Sequence, residues 1–136
     1  DSFKVSYEIT EGVPVILNKD TISVLTEISS KHALKLDDVG SGNNGLLKLI
    51  ELYEYGFLKA IKIDKQLIHN LERHTPLITG FLDWGIEHDV FTIAEGVETK
   101  KQVNFLANKG CKGFQGYFFD KPISPLRIKE RYFKDE

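Results

Sequence analysis

The sequence predicts an α/β fold with a parallel sheet, organised as about half of a (β/α)₈ barrel. Short apolar runs alternate with helix-like stretches along the chain, an order typical of βαβ units. Charged side chains follow the predicted strands, and barrels of this type carry their functional residues at the carboxyl ends of strands. These residues are Glu8, Asp37, Asp38, Lys62, Asp64, Glu95 and Glu98. A complete barrel takes roughly 250 residues, whereas this chain has 136, so we expect one domain that holds about half of an active site.

Five strands are predicted where short apolar or alternating runs are bounded by polar residues. They lie at residues 3–7, 33–36, 60–63, 90–94 and, in an aromatic run, 114–119. In the last run, alternation through a strand is expected to carry most of the rings into the core. Five or six helices are expected around and between these strands.

The first two helices are predicted by the spacing of apolar side chains. Asp20 is a suitable cap for the first helix, on which Ile22, Leu25 and Ile28 share one face. The second helix is expected after the glycine-containing loop 40–42. Both helices would therefore turn an apolar stripe towards the sheet.

The later helices are predicted by their capping residues. Thr75–Pro76 is typical of an N-cap followed by the first helical position. Thr99 and Gln102 match a capping box, and Gly110 is placed to end the helix that they begin. Ser124–Pro125 repeats the cap pattern for a last helix.

Composition favours a soluble globular domain. The chain is 41% hydrophobic and 28% charged with a net charge of −2, and it has no basic block that would favour a nucleic-acid polymer as partner. No run approaches the length of a membrane span. One cysteine, Cys111, excludes an internal disulfide and suits a reducing cytoplasm. Because the chain starts at Asp1 and contains no Met, we expect it to begin inside a longer product.

The clustered carboxylates predict a site for hard divalent cations. Acids gathered at one rim repel each other unless a cation or Lys62 compensates their charge. All-oxygen ligands favour Mg²⁺ or Mn²⁺ over Zn²⁺, and two such ions about 3.5–4 Å apart activate water for phosphoryl displacement. Taken alone, Asp37 and Asp38 are equally well explained as the polar end of a strand before a turn.

Other reactive side chains have simpler explanations. His69 and His74 have no Cys or His partner at a metal-binding spacing and are expected to be solvated. Cys111 is expected to be a small buried residue. Among the aromatic residues, Tyr117 is the one whose role stays open, and Lys100–Lys101 is expected on a solvated helix face.

Five stretches in order along the chain resemble motifs of one protein family. They are Glu8-Ile9-Thr10-Glu11, Asp37-Asp38-Val39-Gly40-Ser41-Gly42, Lys62-Ile63-Asp64, Ile93-Ala94-Glu95-Gly96-Val97-Glu98-Thr99 and Gln115-Gly116-Tyr117-Phe118-Phe119-Asp120-Lys121-Pro122. Together they resemble the second half of the EAL domain, the family of bacterial cyclic-di-GMP phosphodiesterases. The resemblance implies that residues 1–136 are the C-terminal portion of a single EAL domain, with a modified (β/α)₈ barrel and two-metal hydrolysis of cyclic-di-GMP to pGpG.

The resemblance also implies metal ligands. Glu8 would bind one ion, Asp37 would bridge both, and Asp38 and Glu95 would bind the second. The ions would be Mg²⁺ or Mn²⁺.

The catalytic residues implied by the resemblance are Glu95, Lys62, Glu98 and Gln115. Lys62 would orient the hydrolytic water, while Glu98 and Gln115 would support the water and the metal site. Which carboxylate takes the proton of the water stays open, and Glu95 is the first choice.

Some features leave a second function open. The Glu-Ala-Leu glutamate and a metal-binding asparagine of the family belong to the half that is absent here, and Val39 to Gly45 depart from the usual loop sequence. The alternative is a non-catalytic module that binds cyclic-di-GMP or a protein. In either case, we expect the open barrel edges to favour a homodimer or pairing with the missing half.

Overall fold

The computed structural model describes residues 4–10, 15–41 and 45–133, which form one parallel sheet with helices between its strands. In chain order the elements are β1 (Ser6–Ile9), α1 (Lys19–Lys31), β2 (Ala33–Val39), α2 (Gly45–Glu54), β3 (Leu58–Ile63), α3 (Lys65–His69), α4 (Leu71–Glu87), β4 (Phe91–Ala94), α5 (Lys100–Asn108), β5 (Gly113–Phe114) and α6 (Pro125–Tyr132). Some residues of the predicted first strand, motifs and loop lie outside the described residues: Phe3, Glu11, Gly42, Asn43 and Asn44.

The strands lie in the sheet in chain order, β1-β2-β3-β4-β5, and each neighbouring pair is parallel. Parallel strands in sequential order with intervening helices are the arrangement of a (β/α) barrel. The predicted α/β fold with a parallel sheet is therefore confirmed. Among the described strands none joins β1 to β5, so both remain edges.

The apolar core lies between the strands and the helices. One cluster joins Leu34 and Leu36 of β2 to Leu25 of α1 and Leu49 of α2. A second cluster joins the end of β3 to α3, α4 and α5. In β2 buried residues alternate with half-buried ones, so the opposite face of the sheet is left for Ala33, Lys35 and Asp37.

Helix α1 begins at Lys19, and its cap is not the predicted one. Asn18 Oδ1 accepts a hydrogen bond from the Thr21 backbone N–H at 2.9 Å. Asp20, which we expected to be the cap, lies in the first turn. Its charge is favourable there because it faces the positive end of the helix dipole.

The predicted helix start at Thr75–Pro76 was wrong. Helix α4 begins at Leu71 and runs through Pro76, while the Thr75 hydroxyl donates to the Leu71 carbonyl at 2.8 Å. Thr75 therefore satisfies its hydroxyl inside the helix and caps nothing. The preceding helix α3 is five residues long, too short to show an apolar period, and was not predicted.

The capping predictions for the two last helices are confirmed. Thr99 and Gln102 form both hydrogen bonds of a capping box at the start of α5. Ser124 caps α6, with Pro125 as its first residue. Gly110 follows the end of α5 with φ +88°, a left-handed conformation that glycine adopts without strain.

The predicted fifth strand is much shorter than expected. Only Gly113–Phe114 pairs with β4. Tyr117 and Phe119 are at least half exposed and Phe118 is 39% exposed, so the expectation that most of these rings enter the core was wrong. The chain leaves the sheet at Gln115 and turns at Gly116, which ends the alternation. Within the part of the chain that the structure describes, no helix is long and apolar enough to cross a membrane.

Candidate active site

The carboxyl ends of β1 to β4 bring three of the predicted site carboxylates together around the predicted lysine. Glu8 lies on β1, Asp37 near the end of β2, Lys62 on β3 and Glu95 directly after β4. The backbone N–H of Glu95 donates to the Ile63 carbonyl at 3.1 Å, which continues the β3–β4 ladder one step past the strand. Parallel pairing therefore holds the four side chains at one rim.

Lys62 is the centre of this rim. Its ammonium lies 2.6 Å from Glu95 Oε1, 3.1 Å from Asp37 Oδ1 and 3.1 Å from Glu8 Oε2. The lysine side chain is 6% exposed, against 14% for Glu95, 16% for Asp37 and 39% for Glu8. An ammonium group has three N–H donors, so three carboxylates match its hydrogen-bonding capacity.

The electrostatics of the rim favour a charged lysine and disfavour ionisation of Glu95. Burial lowers the pKa of Lys62, but its hydrogen bonds to Glu95, Asp37 and Glu8 outweigh burial and raise that pKa well above its ordinary value. Burial raises the pKa of Glu95; the Lys62 contact opposes this, and the charges of Asp37 and Asp38 add to it. A raised pKa makes Glu95 a better proton acceptor once it is ionised.

Asp38 reaches the same rim because the end of β2 is irregular. In a regular strand, Asp37 and Asp38 would point to opposite faces. Asp38 instead has φ +55°, and the pairing of β2 with β3 shifts between Leu36 and Val39. The backbone N–H of Asp38 donates to Asp37 Oδ1 at 3.1 Å. Aspartate tolerates this left-handed conformation better than most residues do, so adjacent aspartates can serve one site.

Three carboxylates of the rim are arranged to share a cation. Asp37, Asp38 and Glu95 each offer one oxygen, and these oxygens all lie within 4.8 Å of one another. Carboxylate oxygens alone are the donors preferred by Mg²⁺ and Mn²⁺. The residues therefore fit the predicted hard divalent ion.

Glu98 and Gln115 are not brought to Lys62. Glu98 lies on the loop between β4 and α5, where its Oε1 is 3.4 Å from His69 Nε2 on α3. Gln115 is exposed beyond β5, and its backbone bonds to Ala94 and Val97. Both residues adjoin the rim, and their supporting role stays a prediction.

Two further residues from the sequence patterns, Asp64 and Gln102, hold the backbone next to the rim. Asp64 is 4% exposed and caps α3 by accepting the Gln66 backbone N–H at 2.5 Å, which fixes the chain just after Lys62. The Gln102 side chain accepts the backbone N–H of Glu98 at 2.8 Å and donates to Ile68 at 3.1 Å. The capping-box pattern identified Gln102, but its second bond depends on tertiary structure.

The remaining candidates stay outside the rim. Cys111 is buried, its thiol lies 3.2 Å from the Gly113 carbonyl, and burial raises its pKa, as expected for a structural thiol. Tyr117 is 62% exposed, with the Lys121 ammonium 5.5 Å from its ring centre. Lys101 forms an exposed ion pair with Glu72, as expected for a solvated helix face.

Comparison with known proteins agrees with the sequence motifs. The EAL domain family model matches residues 2–122. The chain is 34% identical over 129 residues to the signalling protein YkoW of Bacillus subtilis, covering 90% of the chain and 15% of YkoW. It is 30% identical over 125 residues to PdeG of Escherichia coli, a probable cyclic di-GMP phosphodiesterase, covering 89% of the chain and 24% of PdeG.

A solved structure shows the same fold. The chain superposes on BlrP1 of Klebsiella pneumoniae, in a complex with manganese and cyclic di-GMP, with a TM-score of 0.68 and 25% identity. The match covers 85% of this chain and 29% of BlrP1. The chain thus spans less than a third of the length of each of these three relatives.

Proposed function

Because the chain belongs to the EAL domain family, we propose that the complete domain containing it hydrolyses cyclic-di-GMP to pGpG in the bacterial cytoplasm. We assign residues 1–136 to the C-terminal portion of that single domain. The observation that carries the proposal is the contact of Lys62 with Glu8, Asp37 and Glu95 at one strand rim. Several carboxylates at one rim can hold two metal ions for phosphoryl chemistry, and relatives that include PdeG carry the matching name.

The proposed metal ligands are the four carboxylates of the rim. Glu8 would hold one ion, Asp38 and Glu95 the other, and Asp37 both. When bound, Mg²⁺ or Mn²⁺ ions supply a more acidic water and charge stabilisation for the phosphate oxygens. One oxygen from each of Asp37, Asp38 and Glu95 lies within 4.8 Å of the other two, which supports the binding of a common ion by these three residues.

The protein's own residues would position the water and move its proton. The three N–H donors of Lys62 face Glu8, Asp37 and Glu95 here; carboxylates that bound metal ions would release a donor, and the buried ammonium could then hold a water oxygen by a charge-assisted hydrogen bond. Glu95 lies 2.6 Å from that ammonium, so a water held by Lys62 would lie beside the Glu95 carboxylate. We assign Glu95 as the base that accepts one proton of the water while its oxygen forms the new P–O bond. The P–O bond to the ester oxygen then breaks, and the departing oxygen takes up a proton from solvent.

Glu98 and Gln115 are proposed to support this geometry from the neighbouring loops. Gln115 is tied to the β4 end by its backbone bond to Ala94 at 2.9 Å. Glu98 is tied to α3 through His69 and through the Gln102 side chain. Such supporting partners orient the groups that bind the metal.

The experiment is a turnover assay on the complete protein that contains this chain. We expect release of pGpG from cyclic-di-GMP with Mg²⁺ or Mn²⁺ and its loss when the metal is removed by a chelator. A folded protein that binds cyclic-di-GMP tightly without turnover would contradict the catalytic proposal and favour the non-catalytic binding module. Lys62→Met should lose turnover, and Lys31→Met, which removes an exposed lysine that pairs with Glu27, is its matched control.

The 136 residues alone are proposed to be inactive and to associate. Edge strands β1 and β5 carry unpaired backbone groups, which favour pairing with a second copy or with the rest of the domain. Catalytic groups must be held within about 0.5 Å, and half a barrel supplies only part of that support. Sedimentation at several concentrations and a turnover assay test both statements: a monomer with the full rate of the complete protein would contradict them.

A further inference from the structure

A second lysine lies on the face of the sheet that carries the candidate site. Lys35 is half-buried and alternates along β2 with Leu34 and Leu36, which are each 1% exposed on the helix side. Asp37, two residues on, reaches the rim. Alternation therefore places Lys35 on the same face as Asp37, one step below it.

The pairing register gives the same position independently. Lys35 is the register partner of Glu8 on β1 and of Ala60 on β3. Ala60 is two residues before Lys62, whose side chain reaches the rim. Register partners on neighbouring strands turn their side chains to the same face, so Lys35 lies between two strands that each contribute a residue to the site.

The charge of Lys35 is not used by the contacts of the rim. Within residues 4–10, 15–41 and 45–133, the ion pairs of Glu8, Asp37 and Glu95 all involve Lys62, and none involves Lys35. Glu8, Asp37 and Glu95 thus share one bonded lysine, and Lys35 is a second positive charge on the same face of the sheet, level with Glu8. Inside a closed barrel, side chains fill the interior, so this charge would be kept close to the site.

We propose that Lys35 sets the strength of metal binding at this site by repelling the bound cations. The inference rests on the proposed function, because it requires divalent ions held by Asp37 and its neighbours. The backbones of Lys35 and Asp37 are about 6.6 Å apart along β2, and charges on side chains that share a face at such a spacing interact even at the dielectric constant of water. Lys35 therefore weakens metal binding without contacting the metal.

The test is Mn²⁺ binding to the complete protein, measured by calorimetry without substrate. Lys35→Met should bind Mn²⁺ about fivefold or more tightly than the wild type, because a unit charge about 7 Å from a divalent ion acts with roughly this strength at the dielectric constant of water. Lys35→Arg keeps the charge and should bind as the wild type does. Lys59→Met is the matched control, since Lys59 is exposed and its place next to Ala60 puts it on the other face of β3.

The outcomes separate this inference from the proposed function. If the wild type binds no Mn²⁺, the proposed metal-dependent function fails and the inference fails with it. If the wild type binds Mn²⁺ and folded Lys35→Met binds it equally or more weakly, the inference alone is wrong. Lys35→Gln is a second neutral variant, which decides the question by the same comparison if Lys35→Met does not fold.

Discussion

Replacing Lys62 by methionine should destabilise the metal-free protein and remove its activity. The substitution keeps an unbranched side chain of similar length but deletes the ammonium that contacts Glu8, Asp37 and Glu95. Three carboxylates would then face each other at the rim without their shared cation. Because like charges repel most strongly where solvent is excluded, the variant should unfold more easily at neutral pH.

The size of the effect follows from burial. Removing one partner of a buried ion pair typically costs about 3–5 kcal/mol. Glu8 is 39% exposed and partly screened by solvent, whereas Asp37 and Glu95 are 16% and 14% exposed. We therefore expect the lower end, a loss of about 3 kcal/mol in the free energy of unfolding. While its carboxylate partners are ionised, the raised pKa of Lys62 means that its stabilising contribution is fully present below its unfolded value of 10.5 and is lost as pH rises through the higher folded value.

The assay is denaturant unfolding of the complete protein at pH 7 with a chelator, followed by turnover with Mn²⁺. Lys31→Met is the control, because the Lys31–Glu27 pair is 65% and 74% exposed and its loss should cost less than about 0.5 kcal/mol. The deficit of Lys62→Met should shrink at lower pH, since protonated carboxyl groups no longer repel. Equal unfolding midpoints for Lys62→Met and the wild type, with normal turnover, would refute the role of Lys62 as counter-ion and catalyst.

Three further predictions concern other parts of the chain. In the complete protein Asp37→Ala should abolish turnover, whereas Gln115→Ala should lose about 10–100-fold; a near-normal kcat for folded Asp37→Ala would exclude it as the bridging ligand. Gly116→Ala should lower the unfolding free energy by more than about 2 kcal/mol, because its Cβ would lie 2.1 Å from the Val97 carbonyl oxygen. By contrast, Gly80→Ala in open space on α4 should raise the unfolding free energy by about 0.5–1 kcal/mol, and a melting experiment on both variants checks the opposite signs. Burial raises the pKa of the Cys111 thiol, so less thiolate forms at pH 8. Alkylation of the folded protein should therefore be more than about tenfold slower than alkylation in denaturant. Equal rates would show that the thiol is accessible.

The sheet and most of the rim could be predicted from the sequence because parallel strands obey a simple rule. Their carboxyl ends meet at one edge, so Glu8, Asp37, Lys62 and Glu95 were expected together before any distance was known. Their contacts with Lys62 agree with that expectation. The rule needs only the order and direction of the strands, which an alternating pattern of apolar runs and helices supplies.

Local irregularities of the backbone could not be predicted from the order and direction of the strands. Strict alternation would send Asp38 to the helix side of β2, and only the shifted register and the left-handed backbone bring it to the rim. Pro76 misled the prediction of α4 because a proline inside a helix and a proline at its start give the same local sequence signal. In both cases tertiary packing decides between conformations that the sequence alone allows.

The different positions of Glu95 and Glu98 show how far strand-end reasoning reaches. Glu95 is one residue past β4, and its backbone bond to Ile63 continues the ladder, so strand geometry still directs its side chain to Lys62. After it, Gly96 adopts φ +67°, and an added Cβ there would lie 2.5 Å from Lys65 Cβ, so the loop leaves the sheet and packs closely on α3. The direction of Glu98 is then set by loop contacts, which turn it towards α3. A strand pattern therefore predicts a site residue only as far as the ladder hydrogen bonds extend.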